Sequence, residues 1–134
     1  SYEYNTYKEL MNVLCKLDYD GEIIFKFHPA NMNFFINLKK EICRYFLRNS
    51  NIKFKFIHKT KNIEYYASVC NFVISIDYST SFLEILKMDT PIIYFNRNYD
   101  RHIVNIYSKI NEFKNFTMVS NKKDLESKLK HLIR

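Results

Sequence analysis

Two stretches of the chain are almost unbroken apolar runs: residues 72–76 (Phe-Val-Ile-Ser-Ile) and residues 92–95 (Ile-Ile-Tyr-Phe). A strand with one solvated face alternates apolar and polar residues. A strand covered on both faces reads instead as a continuous apolar run, the mark of a parallel sheet flanked by helices. Elsewhere the period changes to that of a helix, most clearly over residues 32–48, where Phe35, Leu38, Ile42, Tyr45 and Phe46 recur three or four residues apart. Strand-like runs that alternate with helix-like ones constrain the chain to an α/β architecture.

The chain contains one glycine and two prolines, so each is informative as punctuation. Gly21 separates an opening helix over residues 4–17 from a strand over 22–27, which His28-Pro29 stops. A helix over 32–48 ends at Asn49-Ser50-Asn51, followed by a strand over 52–57 and a short helix over 62–69. The apolar run 72–76 leads into the polar corner Asp77-Tyr78-Ser79-Thr80-Ser81, which opens a helix to about residue 88. Pro91 then opens the strand 92–95. An irregular helix over 103–110, a strand over 116–119 and a final helix over 122–132, capped by Ser120 or Asn121, complete the order. The pattern predicts a Rossmann-like three-layer domain with a five-stranded parallel sheet. No repeat or linker divides residues 1–134, so a single domain is expected.

At 134 residues, 47% apolar and 17% aromatic, the chain can build a full core and is unlike a disordered sequence. Its apolar runs are a few residues long against the roughly 20 that span a bilayer. The opening Ser1-Tyr2-Glu3-Tyr4-Asn5 has no basic or apolar leader character, which predicts a cytoplasmic protein. The absence of an initial Met makes a piece of something longer the expectation. Cys15, Cys43 and Cys70 are far apart and lack a C-x-x-C pair, so small buried thiols are expected, with neither a disulfide framework nor a zinc site. The net charge of +7 raises the question of nucleic acid. The basic residues are 16 Lys against 5 Arg and are scattered over several elements, whereas base readout and phosphate forks favour Arg. No nucleic-acid partner is expected. A diffuse positive field suits a phosphorylated substrate, or peripheral contact with anionic lipid at the inner face of a membrane.

In open parallel sheets ligands bind beyond the carboxyl ends of the strands. The polar residues expected there are His28-Pro29, His58 to Lys61, Asp77 to Ser81, and Asn96-Arg97-Asn98. Ser79, Thr80 and Ser81 carry the strongest signal. Hydroxyls grouped with the free N–H groups and positive dipole end of a helix form a phosphate cradle. The alternative is a simple N-cap by Ser79 or Thr80, which needs one hydroxyl. No glycine-rich loop is present, which excludes a Walker loop or a dinucleotide fingerprint. His28, stiffened by Pro29, is placed to donate to a phosphate or to act as acid or base; a loop histidine without a role is the competing reading. Glu84, one turn into the helix, is placed to reach ribose hydroxyls if the helix N-terminus faces a phosphate. A solvated helix glutamate is the alternative, although its neighbours Phe82, Leu83, Ile85 and Leu86 are all apolar and argue against an idle, fully exposed side chain. Asp77 orients or caps the corner. A metal would need further carboxylates, and none is apparent.

These motifs in this order resemble the C-terminal, nucleotide-binding half of GT-B-fold glycosyltransferases. Glu84-x6-Pro91 followed by Ile-Ile-Tyr-Phe is similar to the E-x6-P segment of that fold, where the glutamate contacts ribose. Within the fold, the His-Pro motif at Lys26-Phe27-His28-Pro29 and the Ser-Thr pair Ser79-Thr80 resemble bacterial surface-polysaccharide transferases that use CMP-linked donors. Asp77-Tyr78-Ser79-Thr80 nearly reproduces the Asp-Tyr-Ser-Ser corner of the CDP-glycerol glycerophosphotransferases of teichoic-acid synthesis. Capsule sialyl- and Kdo-transferases carry Ser-Thr before the helix. The resemblance runs from about residue 22 to the end. Asn71 replaces an acidic residue of the teichoic-acid pattern, and Asp89 stands where the fold usually has glycine, a position for which Asp tolerates the left-handed conformation.

The resemblance implies a transferase that takes a nucleotide-activated donor as substrate, without cofactor or metal. Ser79, Thr80 and Ser81 would hold donor phosphates, His28 would stabilise the leaving phosphate as the catalytic group, and Glu84 would bind ribose, with Asp77 and Pro29 orienting. It also implies an N-terminal acceptor domain, absent from this chain, that binds a polysaccharide or lipid-linked acceptor. The alternative is a phosphate- or nucleotide-binding regulatory α/β module without catalysis. A receiver-like module needs paired acids after the first strand, where this chain has His28-Pro29.

Overall fold

A computed structural model describes residues 2–26, 32–49, 52–57, 63–76, 84–97, 105 and 113–133. The chain divides into two compact units, Ser1–Thr60 and Lys61–Arg134. The described elements, in order, are α1 (Tyr2–Lys16), β1 (Glu22–Lys26), α2 (Met32–Asn49), β2 (Lys53–Ile57), α3 (Ile63–Val69), β3 (Val73–Ser75), β4 (Ile92–Phe95), β5 (Phe116–Val119) and α4 (Lys122–Ile133). The protein is α/β with parallel sheets, as the alternation of periods predicts. The described strands form one two-stranded and one three-stranded sheet; one five-stranded sheet is not shown.

In the first unit β1 and β2 pair in parallel, with Glu22 opposite Lys53 and Phe25 opposite Phe56. β2 alternates exposed Lys53 and Lys55 with half-buried Phe54 and Phe56, the period of a strand with one wet face. Phe25 stacks on Phe56 at 5.3 Å between centroids and meets Phe54 edge-on at 6.5 Å. Tyr7 of α1 lies 6.3 Å from the Phe25 ring, and the Lys39 ammonium of α2 sits 5.2 Å over Phe56. Both helices therefore reach the aromatic face. They also touch each other. Leu10, Met11, Val13 and Leu14 are the buried apolar residues of α1 and Leu38 and Ile42 those of α2, and the Tyr45 hydroxyl donates a hydrogen bond to Asn12 Oδ1. Burial, and secondarily the neighbouring Cys15, push the Tyr45 hydroxyl above its ordinary pKa of 10.0.

The end of α1 shows what replaces glycine in a chain that has only one. Asp18 is the sole described non-glycine residue with positive φ, at 51°. Its N–H donates to the Cys15 carbonyl at 3.1 Å, and the Tyr19 N–H donates to Leu14 at 3.2 Å. This is a Schellman cap with aspartate in the left-handed position. Gly21 has no positive φ; a Cβ there would instead strike the phenol of Tyr19. Asp89, expected to exploit the same tolerance, keeps negative φ.

In the second unit the order is β3-β4-β5, all parallel. β4 lies between two partners and is buried along its whole length, with Ile93 and Phe95 0% exposed. β3 has a partner on one side of this sheet, and Val73, Ile74 and Ser75 are only half-buried, short of the two-faced burial its apolar run predicts. Ala67, Ile85, Leu86, Ile92, Tyr94 and Phe116 form one core cluster. Leu125 and Leu129, one turn apart on α4, are fully buried. All three cysteines are half-buried and none forms a disulfide, so they are less enclosed than expected.

Candidate functional site

Parallel pairing brings the carboxyl ends of β3, β4 and β5 to one edge of the three-stranded sheet, because the register matches Ser75 with Tyr94 and Phe95 with Val119. Asp77, Ser79, Thr80 and Ser81 belong to the segment that follows β3; they lie outside the described residues, as do His28 and Pro29. What flanks the corner is described. Upstream, the Val73 N–H donates to the Pro91 carbonyl at 2.8 Å and starts the ladder that ends at Ser75. Downstream, Ile85 and Leu86 enter the core cluster.

Glu84 is helical and exposed, next to buried Ile85 and Leu86. The expectation that Glu84 is not idle and exposed is corrected: Ile85 and Leu86 turn toward the core and leave residue 84 outward. No hydrogen bond or ion pair engages its carboxylate among the described residues. The helix also ends before the predicted residue 88. After Ile85 the chain turns, with Met88 N–H donating to the Ile85 carbonyl at 3.0 Å. Pro91 follows closely and cannot extend the helical ladder.

The descent from Glu84 to Pro91 is fixed by side chains. The Asn115 amide nitrogen donates to the carbonyls of Met88 (2.7 Å) and Thr90 (2.9 Å). The Thr90 hydroxyl donates to the Ala67 carbonyl at 2.9 Å. Sequence reasoning gave Asn115 and Thr90 no role. A polar residue just before each strand, Thr90 ahead of Pro91 and β4 and Asn115 ahead of β5, is the available signal, but it does not name their partners.

At the carboxyl end of β4, Asn96 is 3% exposed. Its N–H donates to the Val119 carbonyl at 2.8 Å, and its amide lies 3.8 Å from the Met118 sulfur. Arg97, next along, is half-buried. Both were expected at this edge, and the burial of Asn96 makes it a fixed polar group there.

The N-terminus of α4 starts at the same edge and carries its own cap. Asn121 Oδ1 accepts the Asp124 N–H at 2.8 Å, and its amide donates to the Asp124 carboxylate at 3.0 Å. Asn121, not Ser120, is therefore the cap. Among the described residues no group of three or more His, Cys, Asp or Glu side chains could hold a metal ion. No described helix is long and apolar enough to cross a membrane. Comparison with known proteins yields no matching family model, no matching curated protein and no matching solved structure.

Proposed function

We propose that this chain is the donor-nucleotide-binding half of a transferase that builds a bacterial surface polysaccharide, with a CMP-linked donor favoured. The observation that supports the reading is the place of the Ser79-Thr80-Ser81 group in the chain. It follows a strand of a parallel sheet and precedes Ile85 and Leu86, which are anchored in the core. Parallel sheets take phosphorylated ligands beyond the carboxyl ends of their strands, and this segment follows the carboxyl end of β3 in the chain. Exposed Glu84 is accessible to a ribose.

In this mechanism Ser79, Thr80 and Ser81 hold the donor phosphates with backbone N–H groups. His28 stabilises charge on the departing nucleotide phosphate, a role that needs no metal. Asp77 and Pro29 are the orienting residues. The acceptor hydroxyl takes its base from elsewhere in the full enzyme. A Rossmann-like five-stranded sheet, a cytoplasmic location and peripheral contact with anionic lipid belong to the same proposal.

The experiment is calorimetric titration of CDP into the chain and into the double variant Ser79→Ala/Thr80→Ala. The expected result is at least tenfold weaker binding with an unchanged melting temperature. Lost stability with unchanged affinity makes the two hydroxyls a helix cap and removes the basis of the proposal.

A further inference from the structure

At the amino end of the three-stranded sheet the segments that enter β4 and β5 are tied together by Asn115, which bonds both Met88 and Thr90. A cleft of about 600 Å³ opens beside this tie, within the size range of small-molecule sites. Its apolar lining includes half-buried Met88, Phe113 and Leu132. Three lysines also line it, Lys87, Lys114 and Lys128, against a single carboxylate, Asp89. Among the described residues, no hydrogen bond or ion pair engages any of these four charges. Three like charges beside one opposite charge leave a positive surplus that an anion would relieve.

We infer that this cleft binds a small amphipathic anion, an apolar or aromatic body that carries a phosphate or carboxylate. The apolar body rests on Met88, Phe113 and Leu132 while the lysines meet the charge. Neither half suffices: exposed lysine pairs alone contribute little, and an open apolar surface of this size holds a neutral ligand weakly. The cleft lies at the opposite end of β4 and β5 from Asn96 and Asn121. It is therefore independent of the proposed nucleotide site, and either can fail without the other.

The test is a nuclear magnetic resonance titration of the labelled chain with 1-naphthyl phosphate up to roughly 10 mM, a range that reveals weak sites. Inorganic phosphate and 1-naphthol are titrated in parallel. Shifts are expected at residues 86–89, 113–117 and 128–132, with each half-ligand binding at least tenfold more weakly. The triple variant Lys87→Gln/Lys114→Gln/Lys128→Gln should lose tenfold or more while keeping the spectrum of a folded chain. Should that variant not fold, the salt dependence of the unaltered chain decides instead, because raised ionic strength must weaken binding. Shifts elsewhere, no shift, equal binding of inorganic phosphate, or binding indifferent to both lysines and salt overturns the inference.

Discussion

Asn115 offers the sharpest test of how the segment between Glu84 and β4 is held. One amide nitrogen donates to two carbonyls, Met88 at 2.7 Å and Thr90 at 2.9 Å. Each such bond contributes about 1 kcal/mol net, so Asn115→Ala should cost about 2 kcal/mol. For a chain of this length that corresponds to a fall in melting temperature of roughly 8 °C. Asn115→Asp keeps the shape but places a carboxylate against two carbonyl oxygens with nothing to donate. It should cost at least as much as Ala at neutral pH and recover in part near about pH 3, where the protonated acid donates one bond. Urea denaturation followed by circular dichroism reads both variants against the unaltered chain at each pH. A cost of less than about 0.5 kcal/mol for Ala, or an Asp variant whose deficit does not change with pH, refutes the double tie.

Asp18→Gly should stabilise the first unit by about 0.5–1 kcal/mol. It removes a left-handed non-glycine residue and a negative charge at a helix C-terminus, and the flexibility of glycine offsets part of the gain. A lower urea midpoint for this variant contradicts the cap geometry at φ 51°. Tyr45→Phe should cost about 1 kcal/mol at neutral pH by leaving Asn12 without its donor. The folded chain keeps the Tyr45 phenol protonated above pH 10.0 whereas the unfolded chain releases the proton near it. Stability from this group is thus complete below pH 10.0 and falls as pH rises through the higher folded value. The Phe variant should show a smaller alkaline decline in urea titrations; an equal decline contradicts the assignment.

The elements were legible in the sequence because their signals are local. The recurrence of Leu38, Ile42 and Tyr45 marks α2, which runs Met32–Asn49 against an expected 32–48. Ile92 to Phe95 coincide with β4. Pairing was not legible, since an apolar run does not state how many neighbours a strand has: β4 is enclosed and β3 only half so, though both read alike. Nor did a missing glycine reveal where the chain would turn left-handed. Asp89 was the candidate and Asp18 is the residue, because the backbone after Leu14 and Cys15 closes a cap there. At the candidate site, the sequence singled out residues by chemical type. Glu84 shows the cost of that, because helical rotation, not the polarity of its neighbours, decides its exposure. Asn115 and Asn96 act through partners 25 and 22 residues away, a separation that no local pattern encodes.

The nucleotide proposal is tested most directly by melting the chain in the presence of CMP, CDP, UMP, UDP, GDP and AMP at millimolar concentration. A ligand at one hundred times its Kd stabilises the folded state by about 2.7 kcal/mol, a shift of several degrees. The account predicts stabilisation by CMP and CDP above the other nucleotides, abolished by His28→Ala. No shift with any of the six, or an equal shift in His28→Ala, contradicts it.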